Sequence, residues 1–377
     1  MTSEKSCVGA NVARLRAARR LTQQQIADRA MMTRVAVSQI ERGAVSPRAS
    51  TVTALAKALD VPLGDLMTPV SRLEGVRFRA GKRMRAREHV LARVAGWLEG
   101  YADLENALDE RRTCKFAGIP SGMDPQEAAR AARRAVGLDY ADPVRDICGL
   151  LEENGVKVLL YPTQRESVFG LSVSVRGGGP AVVVNTWDRI SVERWIFTAA
   201  HELGHLLLHP DEFRREVSNE SSAAEREADA FAGEFLMPEV AFDGEWAETW
   251  GHPLVDRVLK VKRIFRVSYK TVLHRLVETG RETGRVWSAF QAQHRAWFGK
   301  TLARREEPQA LEESEFAWNW RRAGEPAGLS SHDFMEDRLW RLIRKAVENG
   351  HISLGRAAEI AGLDREHMRQ RARAWSQ

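Results

Sequence analysis

Apolar residues recur every three to four positions along the first seventy residues, which is the spacing of helices with one buried face. Val8, Val12 and Leu15 form one such stripe. Thr22 begins a second helix, with Gln25 three residues later as in a capping box. Thr33 can cap a third helix that ends near Gly43. Two short helices joined by a tight turn predict a helix-turn-helix.

The middle of the chain changes from helical spacing to short β-branched runs. The segments PQEAARAARRAVGL and PVRDICGLLEENG have helical spacing, and VKVLLYP, FGLSVSV and AVVVN then predict the strands of a small sheet. A further helix contains FTAAHELGHLLLH. After Pro253 the pattern is again helical almost throughout.

These patterns predict an α+β multidomain chain. Its predicted parts are an all-α helix-turn-helix domain at 8–67, a basic and helical linker at 68–124, a central α+β domain at 125–241 and a helical C-terminal region at 242–377. We expect the central domain to combine a small sheet with the helix that contains this last segment.

The H-E-x-x-H motif places two histidines on one helical face. His201 and His205 are four residues apart, so both imidazoles can point at one metal ion. Glu202 falls beside the metal, where it can accept a proton from water. Two imidazoles and a carboxylate are a known catalytic set for zinc, so we expect Zn²⁺.

A third metal ligand has to come from elsewhere in the chain. Glu225 and Asp229 share a face of the helix that contains AAEREADAFAGEFLMP. We predict Glu225 as the third ligand and Asp229 as the hydrogen-bond partner of a ligating histidine. His209 is the rival third ligand.

Charge and cysteine usage limit the class of protein. The chain has 377 residues and a net charge of +6, with a basic run from Arg77 to Glu88 that can track phosphates or form a solvated helix face. The three cysteines are far apart, which suggests neither a disulfide framework nor a cysteine zinc site. Without a signal peptide or an apolar span, we expect a cytoplasmic protein that does not enter the membrane.

The N-terminal segment resembles the Cro/C1-type repressor domain of the XRE family. LTQQQIADRA, SQIERG, SPRASTVTALAKALDV and LGDLM occur in the family's order. The resemblance implies a double-stranded DNA operator and a homodimer that recognises two half-sites. It also implies that Gln23 contacts a phosphate and that Arg34 and Gln39 bind guanine and adenine edges. The residues expected to face the major groove are Thr33, Arg34, Val35, Ser38 and Gln39.

The N-terminal segment departs from the XRE pattern at one position. Met31 occupies the turn between the two helices where the family usually has glycine. A residue other than glycine at positive φ costs about 1 kcal/mol, so the turn can differ here.

Residues from about Pro125 to Val240 resemble the ImmA/IrrE metallopeptidase family, also described as DUF955. The matching motifs are PVRDICGLLEENGVKV, VVVN, FTAAHELGHLLLH and EREADAFAGEFLMP. The resemblance implies a zincin-like central domain with a small sheet and an H-E-x-x-H helix. It also implies a gluzincin-like site in which His201, His205 and Glu225 hold zinc and Glu202 is the base. Relatives cleave helix-turn-helix repressors and thereby switch on phage-like elements or stress genes, and many carry a fused XRE domain.

The sequence therefore predicts a DNA-binding regulator with a zinc endopeptidase domain whose substrate is a repressor-type protein. A transcription factor that does not cleave proteins, with a structural or effector-sensing zinc domain, is the alternative. An open fourth zinc position favours catalysis, whereas a fourth ligand such as His209 favours a structural site. A third possibility is an antitoxin-like partner of another protein.

Overall fold

The computed structural model describes residues 7–18, 21–61, 63–67, 76–78, 87–164, 169–175, 178–214, 221–303, 306–309, 326 and 328–376. The helices are α1 (Cys7–Ala18), α2 (Gln23–Arg29), α3 (Arg34–Glu41), α4 (Ala49–Leu59), α5 (Leu63–Met67), α6 (Arg87–Leu108), α7 (Pro125–Ala135), α8 (Ile147–Glu153), α9 (Val192–Leu208), α10 (Ser222–Leu236), α11 (Glu239–Glu248), α12 (Leu254–Phe265), α13 (Tyr269–Glu278), α14 (Val286–Phe298), α15 (Arg338–Glu348), α16 (Leu354–Ala361) and α17 (Arg365–Arg373). The strands are β1 (Val76–Phe78), β2 (Lys157–Leu160), β3 (Gly170–Val173) and β4 (Ala181–Val184).

The described residues form two compact units. One contains those of 1–73, 82–103 and 353–377, and the other contains those of 74–81 and 104–352. Together the helical N-terminal region and the central α+β region confirm the predicted fold class. The predicted domain boundaries stay predictions.

The first unit contains the predicted helix-turn-helix. Val12, Ile26, Val37 and Leu55 are fully buried in its core, as expected from their helical spacing. Thr22 and Gln25 form the capping box predicted for α2. The hydroxyl of Thr33 accepts a hydrogen bond from the backbone N–H of Ala36 and caps α3. These caps fix where α2 and α3 begin.

The turn between α2 and α3 keeps its left-handed conformation without glycine. Met31 has φ of 52° and is almost fully exposed, so its side chain meets no packing conflict. The structure therefore retains the ordinary turn at this position, at a backbone cost of roughly 1 kcal/mol.

The second unit is built on a sheet with strand order β1–β3–β4–β2 among the described residues. β3 is antiparallel to β1 and to β4, whereas β2 is parallel to β4. The three predicted strands correspond to β2, β3 and β4 and are confirmed. Strand β1 was not predicted, and it lies within the segment that we assigned to the linker.

Helix α9 packs on β3 and β4, and α10 packs on α9 and α7. Their contact faces are apolar: Ala199 and Leu203 of α9 and Phe231 and Phe235 of α10 are fully buried. The same core includes Val258 of α12 and further residues of α13 and α14. Helices α12, α13 and α14 therefore share the core that holds α9 in place.

Two features of the sequence fall outside the described residues. These are most of the basic run, from Arg79 to Ala86, and the aromatic residues Phe316, Trp318 and Trp320. Phe290, from the earlier part of that aromatic-rich region, is buried and stacks on Tyr269 at 5.1 Å. Among the described helices, none is long and apolar enough to cross a membrane.

Candidate metal centre and DNA-contact face

Helix α9 presents the two histidines of the H-E-x-x-H motif side by side. Ser191 caps the helix through the backbone N–H of Arg194, and the helix continues to Leu208. His201 and His205 are both fully buried one turn apart. Their Nε2 atoms lie 2.9 Å from each other, so both rings point into the same space.

Helix α10 brings two acidic side chains to these histidines. Its approach to α9 depends on Gly204, because a Cβ atom there would lie 3.0 Å from the Phe231 ring. Glu225, in the first turn of α10, has carboxylate oxygens 3.5 Å from Nε2 of His201 and 3.3 Å from Nε2 of His205. Asp229 lies one turn further along the same helix.

The distances within this group match the requirements of zinc. Ligand atoms of His201, His205 and Glu225 all lie within 4.8 Å of one another. A tetrahedral zinc ion with bonds of about 2.0–2.1 Å separates its ligand atoms by about 3.3 Å. The observed separations are close to this value, and two imidazoles with a carboxylate are a donor set that zinc takes. Among the described residues, this trio can therefore hold a metal ion.

Asp229 fixes the tautomer of His201. Its Oδ1 lies 2.8 Å from Nδ1 of His201, and because a carboxylate only accepts, the proton of this bond belongs to Nδ1. The lone pair of a neutral His201 ring is then on Nε2, which faces His205 and Glu225. This is the arrangement that a ligating histidine requires.

Burial affects the two histidines differently. Desolvation lowers the pKa of His205 to about 3 despite its hydrogen bond to Glu225, so this ring is neutral and can donate a lone pair. Desolvation also lowers the pKa of His201, but hydrogen bonds to Asp229 and Glu225 outweigh it, and the net pKa lies above the ordinary value.

His209, the rival ligand, lies at the C-terminal end of α9 and faces other groups. Its Nδ1 lies 3.0 Å from Nδ1 of His205, on the side of that ring that points away from His201. Its Nε2 donates to Glu227, 2.8 Å away. One ring nitrogen of His209 is thus engaged by Glu227, and the other contacts the nitrogen of His205 that faces away from His201 and Glu225.

Glu202 lies against strand β3. Its Oε2 accepts a hydrogen bond of 2.8 Å from the hydroxyl of Ser172, and it is almost fully buried. A Cβ atom on Gly170 would lie 2.9 Å from Oε1 of Glu202, so glycine permits the close approach of helix and strand. The sequence analysis missed Ser172. A polar residue between two apolar ones in an otherwise buried run was the available signal.

A second residue that the sequence analysis missed is Arg77 of β1. Its Nε donates to Glu212 at 2.6 Å, and its Nη2 donates to Oε1 of Glu225 at 2.8 Å. The sequence analysis counted Arg77 only as part of a basic run. The alternation of Val76, Arg77 and Phe78 was the signal for a strand with one polar face.

The predicted DNA-contact residues lie on the solvent side of α3, opposite the buried Val37 and Ile40. Those exposed are Thr33, Arg34, Val35 and Gln39, and Ser38 is half-buried. Gln23 begins α2, and its side-chain amide donates to Glu41 at 2.7 Å. The surface thus offers a cation, amides and an apolar side chain for contact with bases.

Two family models match separate parts of the chain. Residues 12–66 match the helix-turn-helix model, and residues 151–277 match the model described as IrrE N-terminal-like domain. The chain is a fusion of these two domain types. The predicted combination of an XRE-type domain with an ImmA/IrrE-like domain is confirmed. The chain therefore joins a DNA-binding domain to a domain of the metallopeptidase class.

Whole-chain similarity adds little to the domain matches. None of the curated proteins matches the chain significantly. Among solved structures, the chain is similar to ComR from Streptococcus suis, with 12% identity over 100% of this chain and 97% of that chain. The TM-score of 0.17 is too low for this similarity to carry an argument.

Proposed function

We propose that this protein is a DNA-binding regulator whose IrrE-like domain is a zinc-dependent endopeptidase. The observation that carries the proposal is the convergence of His201, His205 and Glu225, with Glu202 on the next position of the same helix. These three side chains would hold Zn²⁺. When bound, zinc polarises a peptide carbonyl and lowers the pKa of water.

The residues of the chain have distinct roles in this proposal. Glu202 accepts a proton from the attacking water and passes it to the leaving amine. Ser172 donates to Oε2 of Glu202 and so fixes the direction of the carboxylate. Asp229 orients His201 through Nδ1. The substrate we propose is a repressor-type protein with a helix-turn-helix domain, cleaved in a stress response or in the activation of a mobile element.

The DNA-binding part of the proposal rests on the exposed face of α3. Thr33, Arg34, Val35, Ser38 and Gln39 would enter the major groove of an operator, and Gln23 would contact a phosphate at the start of α2. We propose a homodimer, because domains of this type recognise two half-sites. The site of action we propose is the cytoplasm.

A regulator that does not cleave proteins is the second candidate. The ion pair between Arg77 and Glu225 favours it, because the guanidinium holds the carboxylate that zinc would need. In this version the central domain would bind a metal only as a structural or sensing group. A carboxylate has two oxygens. Glu225 can therefore accept a hydrogen bond from Arg77 with one oxygen and ligate a metal with the other.

Cleavage tests the peptidase proposal directly. The full chain, supplied with zinc, is incubated with individually purified proteins that carry XRE-type domains, and cleavage products are identified by mass spectrometry. Glu202→Gln should retain zinc but slow cleavage by about 100-fold or more, since general bases contribute factors of this size. Glu239→Gln, which alters a half-exposed carboxylate in the first turn of α11, is the control and should cleave normally. A Glu202→Gln chain that cleaves at the unaltered rate contradicts the mechanism.

A further inference from the structure

The outer edge of β3 is covered by a short segment of the same chain. Val76, Arg77 and Phe78 of β1 lie opposite Val173, Ser172 and Leu171 in antiparallel register. The other edge of β3 pairs with β4. β3 is also the strand whose Ser172 bonds to Glu202, so β1 occupies the sheet edge nearest the candidate base.

Arg77 extends from this segment into the candidate metal centre. Arg77 and Ser172 are directly opposite each other, and side chains at such positions point to the same face of the sheet. The side chain of Arg77 is only 8% exposed, and its guanidinium forms ion pairs with Glu212 and Glu225. These two glutamates therefore form an acidic pocket that an arginine fills from the edge of the sheet.

This arrangement has the features of a known mode of peptide recognition. An extended peptide that adds to a sheet edge gains affinity from main-chain hydrogen bonds, and pockets for its alternate side chains give specificity. The edge of β3 provides the first feature, and the pocket formed by Glu212 and Glu225 provides the second. A peptide bound there would pass alongside Ser172, whose hydroxyl contacts Glu202.

We propose that the β3 edge is a peptide-binding surface for extended segments with an arginine opposite Ser172, and that Val76–Phe78 is its internal occupant. A target segment would have to displace β1 to bind. The identification of the target as a substrate rests on the proposed peptidase function, whereas peptide binding itself does not. The competing explanation is that Arg77 only positions Glu225 for metal binding.

Peptide affinity of the full chain tests this proposal. Both chains carry Glu202→Gln, which slows any turnover of the peptide, and one also carries Arg77→Gln. A fluorescent peptide spanning residues 74–80 is titrated with each chain and followed by anisotropy. Arg77→Gln weakens the hold of the internal strand and frees the acidic pocket, so the peptide should bind at least tenfold more tightly. A peptide with glutamine in place of its central arginine should lose most of this gain.

Arg130→Gln is the matched control, because Arg130 also contacts two glutamates, Glu234 at 2.9 Å and Glu239 at 4.0 Å, but away from the β3 edge. It should leave peptide affinity unchanged. Arg77→Lys retains the charge and should give an intermediate affinity, which provides a second variant if Arg77→Gln folds poorly.

The outcomes separate the surface from the enzyme. Equal peptide affinity with and without Arg77 overturns the proposal. Loss of zinc from Arg77→Gln without a gain in peptide affinity also overturns it, because Arg77 would then only position Glu225 for metal binding. If the affinity rises but a chain with intact Glu202 cleaves no target, the peptidase proposal fails and the binding surface stands. If targets are cleaved but the affinity does not change, the surface proposal alone fails.

Discussion

The Nε2 atoms of His201 and His205 lie 2.9 Å apart in a fully buried part of the second unit. Two imidazoles that share a space this small need a common partner, and the carboxylate of Glu225 lies within 3.5 Å of both. The helical spacing of the H-E-x-x-H motif and the close packing of α10 on Gly204 together create this arrangement. A zinc ion held by these three residues is the central claim that follows.

Asp229→Asn should weaken zinc binding without abolishing it. The amide can no longer hold the Nδ1 proton of His201 as a charged acceptor does, and losses of this kind typically lower metal affinity by about 10–100-fold. Competition with a chromophoric chelator measures the change. Glu239→Gln, which alters a half-exposed carboxylate in the first turn of α11, should have little effect. Equal affinities for the two variants would show that Asp229 does not support the site.

Arg34→Ala should relax the sequence preference of DNA binding at one base position. Arg34 is exposed at the first position of α3. A bidentate contact of an arginine with a base contributes about 1–3 kcal/mol of discrimination against the wrong base. Sites selected from a random DNA pool by the unaltered chain are compared with sites selected by the variant. Arg341→Ala, an exposed arginine of α15, is the control. An unchanged preference would exclude Arg34 from base recognition.

Met31→Gly should stabilise the turn between α2 and α3. Relief of the left-handed conformation gains about 1–2 kcal/mol, and the greater freedom of glycine in the unfolded chain offsets about 0.4–1 kcal/mol of it. The net gain of roughly 0.5–1 kcal/mol should slow hydrogen exchange of the buried amides of α3. Gln24→Gly, at an exposed position within α2, should have the opposite effect. Faster exchange in Met31→Gly would contradict the prediction.

Glu152 should make stability depend on pH through its burial. Desolvation raises the pKa of this carboxyl to about 7. The backbone N–H groups of Arg338 and Asp337 donate hydrogen bonds to the carboxyl and lower its pKa in part. Of the smaller effects, repulsion from Glu336 raises the pKa and the charge of Arg338 lowers it. Because the pKa of Glu152 is raised in the folded state, its protonated carboxyl contributes fully to the free energy of unfolding below about pH 4.5. This contribution is lost as the pH rises through about 7.

The measurement for Glu152 is urea unfolding at several values between about pH 5 and pH 8. Glu152→Gln cannot ionise, so its free energy of unfolding should rise relative to that of the unaltered chain as the pH increases. The free energy of unfolding of Glu153→Gln, a change at the exposed neighbouring position, should depend on pH in the same way as that of the unaltered chain. A constant difference between Glu152→Gln and the unaltered chain across this range would contradict the pKa shift.

The sequence predicted those parts of the structure that local spacing determines. Four-residue spacing predicts that His201 and His205 share one helical face and that Glu225 and Asp229 share another. Capping residues predict where α2 and α3 begin. The contacts of Arg77 and Ser172 depend on the pairing of β1 with β3, which joins residues almost a hundred positions apart. Local patterns do not encode such a pairing, so a strand inside a basic segment was missed.

The number of zinc ions per chain decides whether His201, His205 and Glu225 form a metal centre. Purified full-length protein is exposed to zinc and freed of excess metal, and its zinc content is measured by elemental mass spectrometry. The variants Glu225→Ala and His209→Ala are treated and measured in the same way. We expect about one zinc per chain for the unaltered protein and for His209→Ala, and loss of zinc from Glu225→Ala. An unaltered chain without zinc, or loss of zinc from His209→Ala but not from Glu225→Ala, would contradict it.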